Sequence, residues 1–143
     1  MAKRILAPIG AEDRSEAVVP VLAGLAHGAG STVRLLRVFP IPEHVVGDHG
    51  RVIAYVDQET ERLTAEGLRE LRDVEAQLDG IPVETVVRFG DSAEEIALEA
   101  EAFDADLIAL VTDRSGRVWR AIAPSVADRV VEKSAIPTLV LHE

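Results

Sequence analysis

The chain has 143 residues, 48% of them hydrophobic and 28% charged, with a formal net charge of −10. That is one domain's worth of chain, long enough to bury a core and too apolar for disorder. The acidic balance opposes the positive surface that nucleic acid needs, the apolar runs are too short to cross a membrane, and the absence of cysteine excludes disulfides, thiolate metal sites and thiol nucleophiles.

Lys3 and Lys133 are the only lysines, and arginine supplies the other basic residues. A salt-adapted host and a GC-rich genome both give that composition. The start, MAKRILAPI, leads straight into an apolar run and lacks the long apolar core and cleavage site of a signal peptide, so a cytoplasmic location is expected.

Residues 5–9 (ILAPI) read as a buried strand, broken by residues 10–14 (GAEDR). Residues 15–26 carry Val18, Val21, Leu22 and Leu25 at helical spacing. Pro20 lies inside that segment and is expected to kink the helix or delay its start, and residues 28–30 end it. Residues 32–39 (TVRLLRVF) form a second strand, stopped by Pro40 and Pro42. Residues 41–51 read as a loop holding His44, Asp48 and His49.

A long polar helix is expected over about 52–78, with a narrow apolar stripe of Val56, Leu63, Leu71, Val74 and Leu78 and a densely charged opposite face. Residues 83–89 (VETVVRF) give a third strand. Residues 92–95 (SAEE) read as a capping box, with the Ser92 hydroxyl and Glu95 exchanging backbone bonds, and Ile96, Ala100 and Phe103 as the buried helix face. A fourth strand (106–111, DLIALV), a helix over 125–133 with Val126 and Val130 one turn apart, and a final strand after Pro137 complete the order. Continuous apolar strands alternating with helices predict an α/β domain over residues 1–143: a parallel sheet covered on both faces.

Few motifs offer chemistry. The four histidines lack metal-ligand spacing, and the His44–Asp48–His49 loop is at most a weak candidate. Neither a nucleophile elbow nor a Walker A loop occurs. A phosphoacceptor receiver is disfavoured, since Glu12 and Asp13 come too late after the first strand and Ile136 stands where a lysine is needed.

The phrases ADLIALVT, SVADRVV and IPTLVL, with the stretches 5–8, 35–38, 88–96 and 105–141, resemble the universal stress protein family over nearly the whole length. The resemblance implies a five-stranded parallel sheet of order 3-2-1-4-5, a Rossmann-like fold of the adenine nucleotide alpha hydrolase type. It also implies a ligand site where strand order reverses, between the first and fourth strands. In nucleotide-binding members the first strand ends in an aspartate; here Gly10 occupies that place, with Glu12 and Asp13 close by. Val38 matches the position of backbone contacts at the end of the second strand.

The family's glycine-rich phosphate loop is altered. Val111 and Arg114 replace two glycines, Asp113 adds a carboxylate between them, and Pro124 replaces a glycine before Ser125 and Val126, which do fit. Gly116 matches a family glycine only after a shift of alignment. Proline removes an N–H donor, and side chains crowd the approach to phosphate. The chain therefore resembles the glycine-poor branch that does not bind ATP in the family manner.

The expectation is a non-enzymatic regulatory module with no metal and no confident cofactor, homodimeric through Thr138–His142 as the family implies. The alternatives are a nucleotide or anion sensor using Arg114, Arg117 and Arg120, with Trp119 among them, or a weak ATPase. The three arginines also read as surface paired to acidic groups.

Overall fold

A computed structural model describes residues 3–10, 15–42, 49–112 and 126–142. Five strands are present: β1 (Arg4–Pro8), β2 (Thr32–Phe39), β3 (Val83–Phe89), β4 (Leu107–Thr112) and β5 (Thr138–His142). They alternate with helices α1 (Ser15–Ala26), α2 (His49–Glu75), α3 (Ser92–Phe103) and α4 (Val126–Lys133). The strands form one sheet, β3-β2-β1-β4-β5, with every neighbouring pair parallel. This is the order implied by the resemblance.

Strand residues alternate between two cores. Ile5, Ala7, Val33 and Leu35 join Val18 and Leu22 of α1 and Leu71 and Val74 of α2. Leu6, Leu36, Ile108 and Leu110 join Ile96, Ala100 and Phe103 of α3 and Ala127 and Val130 of α4. Both faces are covered, so successive strand residues are apolar and no polar alternation shows in the sequence.

Three local expectations are corrected. Of the two effects expected of Pro20, the delayed start does not occur: α1 starts at Ser15, with the proline inside it. The long helix begins at His49, so that residue opens α2 and does not lie in a loop; it ends at Glu75, and Gly80 turns the chain at φ 78°. The cap of α3 is Asp91, whose carboxylate accepts from the Glu94 N–H at 3.1 Å. Glu95 is not free to close a capping box, because it accepts from Arg88 Nε at 2.9 Å. At the N-terminal edge of the sheet, the Asp106 carboxylate accepts from the backbone N–H groups of Lys3 and Arg4, tying β4 to β1.

Candidate functional site

A cleft of about 260 Å3 opens at the carboxyl ends of β1 and β4. The order of the sheet reverses between these strands, which is where ligands gather in open α/β sheets. Pro8, Ile9 and Gly10 form one wall, and Leu110 and Val111 form another. Leu36, Arg37 and Val38 of β2, Ser92 and Ile96 of α3, and Val126 of α4 complete the described lining.

Four of the residues singled out in the sequence thus meet: Gly10, Val38, Val111 and Val126. Gly10 has open space where a side chain would grow. Val126 is 41% exposed at the rim. Arg114, Arg117, Arg120 and Ser125 lie outside the described residues, as do Glu12, Asp13, His44, Asp48, Asp113, Gly116, Trp119 and Pro124. Among the described residues, no three histidine or acidic side chains gather as a metal site. No helix there is long and apolar enough to cross a membrane.

Arg37 is the residue the sequence reading missed. It is 9% exposed, unusual for a cation, and it is held on three sides. Nε donates to Glu70 of α2 at 3.0 Å, Nη1 donates to the Val38 carbonyl at 3.0 Å, and the guanidinium lies 4.2 Å from the centre of the Phe39 ring. Its signal was a second arginine, after Arg34, inside a largely apolar strand, TVRLLRVF.

The α3 wall is fixed by charge. Glu99, 4% exposed, accepts from Arg34 of β2 and Arg88 of β3. Bonds to Glu95 and Glu99 hold the Arg88 guanidinium above its ordinary pKa. Across the rim, Arg129 Nη2 of α4 donates to the Asp91 carboxylate at 2.7 Å. That bond first, and the Glu94 N–H second, hold the Asp91 carboxyl below the usual carboxylate range.

Comparison with solved structures agrees with this architecture. Universal stress protein UspA from Lactobacillus plantarum superposes with a TM-score of 0.70 at 18% identity, covering 97% of each chain. A universal stress protein in complex with cAMP gives 0.66 at 16% identity, covering 99% of this chain and 97% of the other. The universal stress protein from Archaeoglobus fulgidus in complex with dAMP gives 0.60 at 16% identity, covering 98% and 97%. No curated protein matches the sequence significantly. The universal stress protein family model matches residues 1–142, essentially the whole length of the sequence and of the fold described above. The chain belongs to the universal stress protein family.

Proposed function

We propose that this protein is a homodimeric, non-enzymatic regulatory module of the stress response that does not hold ATP in the manner of nucleotide-binding family members. The observation that carries the reading is Val111, a half-buried residue that lines the cleft at the end of β4, where the resemblance calls for glycine. A backbone phosphate cradle needs close approach and left-handed turns. Asp113, Arg114 and Pro124 in the following sequence add the wrong charge, more bulk and a missing donor.

The dimer reading rests on β5. It pairs with β4 along one side only, and Leu139, Val140 and Leu141 are half-exposed on this apolar edge strand. An unpaired apolar edge invites pairing, and a two-fold partner strand satisfies it. The test of the whole reading is to denature freshly purified protein and identify the released small molecules by mass spectrometry. An extract free of ATP, with no thermal shift on adding ATP and magnesium, is expected; stoichiometric ATP overturns the proposal.

A second reading is favoured by the cleft itself. In it, the cleft takes a smaller nucleotide or another anion, as two relatives occur in complex with cAMP and dAMP. Arg114, Arg117 and Arg120 are its candidate anion contacts. Stabilisation by a nucleoside monophosphate, lost in Arg114→Ala, supports this reading; an unchanged shift in the variant removes the arginine from it.

A further inference from the structure

We propose that Arg37 sets the ligand class of the cleft, favouring a purine nucleotide with an oxygen at position 6 over one with an amino group there. The inference rests on the second reading above, in which the cleft is a nucleotide site.

Near the end of β2, three backbone carbonyls have different partners. Leu36 O accepts from the Ile9 N–H at 2.7 Å, and Phe39 O accepts from the Gly90 N–H at 2.9 Å. Val38 O, in the cleft wall, accepts from Arg37 Nη1 at 3.0 Å. An exposed carbonyl there would suit an exocyclic amine, which donates. The guanidinium takes one of that carbonyl's two lone pairs and places a donor-only group beside the other, so an approaching amine meets a cationic donor.

The guanidinium is also well anchored. Glu70 holds Nε, the Phe39 ring supports its face, and Phe39 stacks in turn on Phe89 at 5.8 Å between ring centres. A side chain fixed on three sides does not swing aside as a surface arginine would. Two of its five N–H groups are taken by Glu70 and Val38, so further donors remain for a ligand.

The rest of the described lining is mainly aliphatic, and a polar group set against it finds little compensation there. An amino group set against a guanidinium meets donor with donor and loses its water. A 6-oxo group accepts a charge-assisted hydrogen bond from the same place. Inosine and adenosine monophosphates differ in this edge and share ribose and phosphate, so they isolate the contribution of Arg37.

The experiment is isothermal titration of the full chain, stripped of any ligand by unfolding and refolding, with inosine monophosphate and adenosine monophosphate. The inosine nucleotide is expected to bind at least about tenfold more tightly. Arg37→Met, which uncovers the Val38 carbonyl and removes the charge, is expected to narrow the ratio to within about threefold or reverse it. Equal or tighter binding of the adenosine nucleotide to the unmodified protein overturns the role of Arg37 and leaves the nucleotide site standing. If neither nucleotide binds, the nucleotide-site reading itself fails and this inference fails with it. If Arg37→Met does not fold, the comparison in the unmodified protein still decides, and Glu70→Gln, which loosens the guanidinium, is expected to lower the preference.

Discussion

Glu99 Oε2 on α3 lies 2.5 Å from Arg34 Nη1 on β2, and the glutamate is 4% exposed. Its other oxygen accepts from Arg88 Nη1 at 2.9 Å, so one buried carboxylate joins a helix to two strands. Arg34 also bonds to Glu84 and lies 4.2 Å from the centre of the Phe103 ring, while Arg88 bonds to Glu95. The same helix carries Ser92 and Ile96 into the cleft wall, so this charge network sets the position of that wall.

Glu99→Ala is therefore expected to destabilise the fold. Removing one partner of a buried pair leaves its cations uncompensated; partial exposure of both arginines and their second partners limits the loss to about 2 kcal/mol. For a domain of this size that lowers Tm by about 6 °C in calorimetry. An unchanged Tm would mean that Glu84 and Glu95 suffice for both arginines.

The pair Asp91–Arg129 gives a pH signature. The Asp91 carboxyl is held below its ordinary value by Arg129 and then by the Glu94 N–H. A depressed folded-state pKa adds stability above the unfolded value, about 3.9, and that stability is lost as pH falls through the lower folded value. Asp91→Asn keeps a capping oxygen and removes the charge. Its Tm is expected to lie below that of the unmodified protein at neutral pH, with the gap closing as pH falls past the unfolded value and through the lower folded one. A gap independent of pH would contradict the ion-pair account.

Gly67 of α2 has no room for a side chain. A Cβ there would meet Phe39 Cε2 at 2.8 Å and Val87 Cγ2 at 3.0 Å. The Phe39 ring cannot withdraw easily, with Arg37 over its face and Phe89 stacked beside it. Gly67→Ala gains about 1 kcal/mol of helix propensity and loses about 2 kcal/mol to overpacking. Denaturant unfolding is expected to show a net loss of about 1 kcal/mol; a stabilised variant would show that α2 shifts freely over β2 and β3.

The β5 edge is tested by Val140→Pro. Pro137 O accepts from the Ile108 N–H, and ladder alternation then directs the Val140 N–H away from β4. Proline there removes an outward donor and leaves the sheet's own ladder intact. Light scattering is expected to give a dimer for the unmodified chain at micromolar concentration and a folded monomer for the variant. A monomer in both, or a dimer in both, contradicts pairing through β5.

Much of the fold was legible because burial on both faces leaves an unambiguous mark. Runs such as LLRVF and LIALV alternate with helical segments, and α3 showed its buried face in Ile96, Ala100 and Phe103. Glu99 was not legible, since an acid on a charged helix reads as solvent-facing. Arg34 and Arg88 inside apolar strands were the available signal that a buried acid must oppose them. The cap fell to Asp91 over Ser92 because Arg88 captures Glu95 and disables the reciprocal bond. At the site, the resemblance alone brought Gly10, Val38, Val111 and Val126 to one end of the sheet. The anchoring of Arg37 depends on Glu70, 33 positions away, which no local pattern links to it.

The most direct measurement is an isothermal titration of magnesium–ATP into the unmodified protein and into the combined Val111→Gly, Arg114→Gly, Pro124→Gly variant. With the altered loop as the obstacle, the unmodified protein gives no binding heat and the glycine-restored variant binds. Tight stoichiometric binding of ATP by the unmodified protein would contradict the account.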